Sequence, residues 1–136
     1  MRRVALFVAA GLLVAGLCGA GDKKISWTDN LDDGLKAASD AGKPAFIYFF
    51  SPSDGICKKF EEGVLGDDRV VEASAKFVCI RVDCEKDDAA MKKFGVDNWP
   101  ACVFAKGSGD KIADLASKDP EKVARQMDKV AEEFKK

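Results

Sequence analysis

The chain has 136 residues, 22 basic, 23 acidic and no histidine, which excludes imidazole catalysis and histidine-ligated metal sites. A formal net charge of -1 gives no electrostatic footprint for nucleic acid, and the length suits one domain of ordinary size. Arg2 and Arg3 precede an uncharged, mostly apolar run from Val4 to Leu17, followed by the small residues Cys18, Gly19 and Ala20. At ~14 residues that run is short for a membrane span of ~20, so residues 1–20 read as a secretory signal peptide and 21–136 as the folded domain. The rival reading lipidates Cys18 and attaches the protein to a membrane. Against it, Leu17 stands where bacterial lipoprotein signals usually place a small residue. The expected location is therefore exported, periplasmic or secreted.

Without Arg2 and Arg3 the domain holds 20 basic and 23 acidic residues, a net charge of -3. It keeps four cysteines, Cys57, Cys79, Cys84 and Cys102, in a compartment where disulfides persist. Cys79 and Cys84 flank one extended stretch, which holds them ~16 Å apart. A bridge needs Cα atoms within ~7 Å, so these two are not partners.

In chain order, Trp27-Thr28 opens a first helix capped by Thr28 or Asn30, with Leu31, Leu35 and Ala38 as its apolar stripe. Gly42 ends it and Pro44 prevents its continuation. Ala45 to Phe50 is an unbroken apolar and aromatic run, the pattern of a strand covered on both faces. The stretch from Tyr48 through Ser51–Asp54 to Glu61 then reads as a strand end, a loop and a helix whose first turn holds Cys57. A thiol there has the helix dipole and unpaired amides to favour its reactive thiolate form.

Phe60 and Val64 share one face of that helix, which Gly66 breaks. Asp67 or Asp68 caps a short helix carrying Val70 and Val71, and Phe77 to Asp83 is a second buried strand. Asp87 or Asp88 caps a helix with Met91 and Phe94 inward and Gly95 at its end. The strand Ala101 to Ala105 turns at 106–110 into a return strand from Lys111 to Leu115. Asp119-Pro120 then starts a last amphipathic helix through Val123, Met127, Val130 and Phe134. The whole is α/β, a mixed central sheet flanked by helices.

Gly42-Lys43-Pro44, Cys57-Lys58, Val82-Asp83 and Gly95-Val96-Asp97-Asn98-Trp99-Pro100, in this order and spacing, resemble the thioredoxin-fold proteins, the exported bacterial members in particular. The resemblance runs from about Trp27 to Phe134. It implies the thioredoxin-like three-layer sandwich, a cis peptide before Pro100, and a groove beside Pro100 for an extended thiol or disulfide partner. Trp99 would be exposed in that groove, beside Cys57. The departures from the family bear on activity. The nucleophile of the family's Cys-x-x-Cys is here Asp54, and only the second, more buried cysteine remains, as Cys57. The tryptophan usual before the first cysteine is Ser53. The family's buried acid falls on Tyr48, and its lysine partner on Arg81.

One domain exchanging a dithiol for a disulfide needs two thiols in reach of each other. Asp54 cannot attack a disulfide, its carboxylate opposes a thiolate at Cys57, and its plain role is a helix N-cap. Three readings stand. Cys57 can act as a single thiol, forming mixed disulfides or a sulfenic acid in cell redox homeostasis. The domain can be redox-inactive and bind a peptide or protein at Trp99 and Pro100. Or Cys57 and Cys102 can form a structural disulfide. Cys79 and Cys102 read as core residues. Asp54 and Cys57 are only two ligand-type groups, so no metal is expected. No cofactor is expected, and the domain is expected to be a monomer whose partner is a protein or peptide thiol or disulfide.

Overall fold

β2 (Ala45–Phe50) is the middle strand of a five-stranded sheet in the computed structural model, which describes residues 24–135. The signal-peptide reading and Cys18 fall outside the described residues. Every residue of β2 but Phe50 is buried, as its unbroken apolar run requires of a strand covered on both faces. β3 (Val78–Asp83) runs parallel to it on one side, pairing Ile47 with Ile80 and Phe50 with Asp83. β4 (Ala101–Ala105) runs antiparallel on the other, pairing Tyr48 with Cys102 and Phe49 with Ala101. β5 (Lys111–Asp114) forms the edge beyond β4.

The opposite edge corrects the sequence reading. Trp27–Thr28 does not open a helix; it is a two-residue strand, β1, parallel to β3 through Cys79 and Ile80. Asn30 then caps α1 (Leu31–Ala41), its side chain accepting the Asp33 amide at 2.9 Å. β-branched Thr28 and aromatic Trp27 suit the pleated edge, and a two-residue strand is too short to show any period.

The remaining helices are α2 (Gly55–Phe60), which passes into a π turn (Glu61–Leu65), α3 (Asp68–Ser74), α4 (Asp88–Phe94) and α5 (Pro120–Phe134). Asp67, Asp87 and Asp119 cap the last three, each through its side chain. Two cores result, one on each face of the sheet. Phe46, Tyr48 and Phe104 meet Phe60, Val70, Val123 and Met127 from α2, α3 and α5. Ile47, Phe49 and Ile80 meet Leu35, Ala38, Met91 and Phe94 from α1 and α4. Gly34 is what lets α1 lie on β3, because a Cβ there would stand 2.4 Å from Ile80 Cγ1. The result is the α/β three-layer sandwich with a mixed central sheet.

Candidate functional site

The sheet positions the site at the end of β2 where the chain leaves it. The Phe50 carbonyl accepts the Cys84 amide at 2.8 Å on the β3 side. In a planar trans peptide the carbonyl and the next amide point in opposite directions. The Ser51 amide therefore faces the β4 side, and there the Cys57 sulfur accepts it at 3.5 Å. The register Phe49↔Ala101 leads this end of β2 toward Trp99 and Pro100, on the same side of the strand as the sulfur. The Trp99–Pro100 peptide is cis.

This differs from the sequence reading in one respect. The sulfur's donor is the amide at the end of the strand, not an orphan amide of the helix start. Asp54 takes one of those, its Oδ1 accepting the Ile56 amide at 2.8 Å with the extended backbone of an N-cap. Asp54 is the N-cap that its sequence position suggests, with Ser51 and Pro52 outside the helix.

Cys57 is sealed, with 1% of its surface exposed. The residue before it, Ile56, is 64% exposed, and Trp99 is 37% exposed. Two of the three large apolar side chains exposed among the described residues thus stand at this end of the molecule, the third being Ile112 on β5. A cleft of about 540 Å³ opens beside Pro100, lined by Phe60, Val96, Asp97, Cys102 and Leu115 among others.

Behind Cys57, the family's acid position holds Tyr48, which is fully buried. Its hydroxyl donates to Glu61 Oε2 at 2.8 Å and lies 3.4 Å from the Cys57 carbonyl oxygen. Burial and then the Glu61 carboxylate push the phenol far above its usual range, so it stays a neutral donor. A carboxylate is therefore near this position after all, supplied by the π turn rather than by the strand. Arg81, at the lysine position, turns away to Asp29 at 2.9 Å and lies over the Phe50 ring.

The other thiols are placed differently. The four cysteines among the described residues are all free and buried, so the Cys57–Cys102 bridge is not formed. Cys102 sits on β4 opposite Tyr48, within the core under α2, α3 and α5. Cys79 shares that core and donates to the Ser74 carbonyl at 3.7 Å. Burial pushes the Cys79 thiol up to about 12 and raises Cys102 further. Cys84 follows β3 on the opposite face, pushed up to about 11 by burial and then by Cys57 nearby. Among the described residues no group of three or more Cys, Asp or Glu could hold a metal ion.

Besides Glu61, sequence reasoning missed a second part of the site. Glu85, just past β3, accepts hydrogen bonds from both Ser51 and Ser53, the latter at 2.7 Å. Only the three-dimensional pairing of β2 with β3 brings these residues together. The one hint in the sequence was that Ser53 stands where relatives have tryptophan.

Residues 26–106 match a family model described as thioredoxin-like. Among curated proteins, the chain is similar to the thiol:disulfide interchange protein DsbD of Ralstonia nicotianae, 26% identical over 92 residues. That match covers 65% of this chain and 15% of the relative. It is also similar to the protein disulfide-isomerase erp38 of Neurospora crassa, 31% identical over 111 residues, covering 76% of this chain and 28% of the relative. The chain therefore spans less than a third of either curated relative. Among solved structures, a thioredoxin from Thermus thermophilus superposes with a TM-score of 0.67 at 20% identity, over 79% of this chain and 87% of that one. At that identity the superposition speaks for the fold alone.

Proposed function

The chain belongs to the thioredoxin-like family, and on that premise we propose that it acts on the thiols or disulfides of a protein partner, with Cys57 as its single reacting thiol. Similarity to a thiol:disulfide interchange protein and a disulfide-isomerase supports the class of chemistry. The observation that carries the assignment to Cys57 is its place. Its sulfur accepts the Ser51 amide where β2 ends, on the side of the strand whose register leads toward Trp99 and Pro100. The Cys57 thiolate attacks one sulfur of a partner disulfide. A Cys57–partner disulfide forms and the partner's other sulfur leaves as thiolate. Asp54 supplies no second thiol, so resolution falls to a thiol from the partner or from solution. Ile56 and Trp99 form the apolar docking surface. Export follows from the reading of residues 1–20, and the domain works as a monomer.

A second reading has its own observation. Cys57 is sealed while Ile56 and Trp99 are open, which suits a domain that binds a peptide at this face without redox chemistry. Trapping decides between the two. The mature protein is incubated with a disulfide-bonded test protein, and covalent and non-covalent capture are scored separately. Under the redox reading Cys57→Ser abolishes the covalent adduct. Under the binding reading Trp99→Ala abolishes capture and Cys57→Ser leaves it unchanged. Trp99→Ala should alter stability by less than about 0.5 kcal/mol in either case, since it removes an exposed side chain.

A further inference from the structure

We infer that Glu85 is a positioning residue that keeps Cys57 covered, by fastening the turn in front of it to the end of β3. The inference rests on Cys57 as the reacting thiol.

The turn from Ser51 to Ile56 meets the buried sulfur through the Ser51 amide, and it is held at both ends. At its far end Asp54 caps α2. At its near end the hydroxyls of Ser51 and Ser53 both donate to one oxygen of the same carboxylate, Glu85 Oε2. Hydrogen bonds to an ionised acceptor are the stronger kind, and these two hold the Glu85 carboxyl below its ordinary range. Glu85 is itself anchored. Its amide donates to Asp83 Oδ1 at 2.9 Å, and the preceding Cys84 amide is locked onto the Phe50 carbonyl at 2.8 Å. The clasp therefore ties a loop on one side of the sheet's end to a rigid strand end on the other.

Ser51 links the clasp to the thiol. Its hydroxyl goes to Glu85 while its amide goes to the Cys57 sulfur. Glu85 itself is exposed, so the clasp faces the solvent from which a partner arrives. A partner that displaces the two serine hydroxyls would free the turn and uncover the sulfur. The thiol would thus stay covered until a partner is docked.

The test measures native alkylation of each cysteine by iodoacetamide over time, read by peptide mass spectrometry. Glu85→Ala should speed labelling of Cys57 by roughly tenfold, the scale expected for losing charge-assisted hydrogen bonds that hold a turn. Glu85→Gln, which keeps an acceptor oxygen, should lie between it and the unaltered protein. Ser53→Ala, a milder change at an exposed residue, should speed Cys57 less. Its effect should shrink in the Glu85→Ala background, because both act through one contact. Cys79 and Cys102 should stay protected throughout. Unchanged or slower labelling of Cys57 overturns the inference, as does equal acceleration at all four cysteines, which marks global loosening. The reading it rests on is scored separately with a disulfide-bonded test protein. Faster alkylation of Cys57 without any mixed disulfide leaves the clasp standing and removes the redox reading. A mixed disulfide with unchanged alkylation in Glu85→Ala does the reverse.

Discussion

Cys79 and Cys57 are almost equally buried, at 4% and 1% exposure, yet they occupy opposite kinds of place. Cys79 lies in mid-sheet, opposite Phe46 and within a continuous apolar core, and its thiol is pushed up to about 12 by burial. Cys57 lies where the sheet stops, beside a six-residue turn that supplies it with an amide donor. Burial by a core and burial by a turn differ in what it takes to undo them. The first requires unfolding the domain. The second requires moving one loop, a local opening of the kind that ordinary domains sample well below their global stability. On the proposed reading, the same fraction of exposed surface describes an inert thiol in one case and a covered but reachable one in the other.

The largest effect that would break this comparison is on the core side. Phe104 is fully buried between Phe46 and Phe77, with ring centroids 5.4 and 5.6 Å away. Phe104→Ala should cost about 3–5 kcal/mol in denaturant unfolding and expose Cys79 and Cys102 together. A cost below about 1 kcal/mol would mean that mid-sheet packing is not what protects those thiols.

The next effect is one of pH. Cys79 and Cys84 have thiols pushed up to about 12 and about 11, from an ordinary value of 9.0. The folded state thus holds these protons to higher pH than the unfolded chain does. Their contribution to stability is complete below pH ~9 and falls as pH rises toward 11 and 12. The denaturation midpoint should drop across that range, and a Cys79→Ala, Cys84→Ala double variant should flatten the drop. A slope unaffected by the double variant would show that these thiols are not the groups concerned.

The smallest effect sharpens the turn side. Asp54→Ala removes the N-cap of α2 and should cost about 1 kcal/mol, while speeding alkylation of Cys57 and leaving Cys79 and Cys102 protected. Stability loss without any change at Cys57 would separate the cap from the cover.

The two regions also differ in how much of them the sequence disclosed. The core side was legible. The apolar run of β2, the glycines that end α1 and α4, and the aspartates that cap α3, α4 and α5 all signal locally. Where two caps were open, as with Asp67 or Asp68, local sequence could not choose, and the structure takes the first. Trp27–Thr28 was misread because a two-residue edge strand carries no period, and its partner Cys79 lies some fifty residues away. The turn side was legible only in part. Asp54 was legible as an N-cap and Cys57 as a thiol in the first turn of the helix that follows. Glu85 did not, because its bonds to Ser51 and Ser53 span more than thirty residues and exist only once β3 lies beside β2. Glu61 was hidden for a related reason. It reaches Tyr48 from the π turn, and nothing in the sequence announces where a helix widens.

The most direct test of the account maps the mixed disulfide itself. The mature protein is mixed with a disulfide-bonded test protein, quenched with acid, digested without reductant and read by mass spectrometry. The account predicts a partner peptide joined to Cys57 and none joined to Cys79 or Cys102. A partner joined to either of those core cysteines, or no adduct at any cysteine, would contradict it.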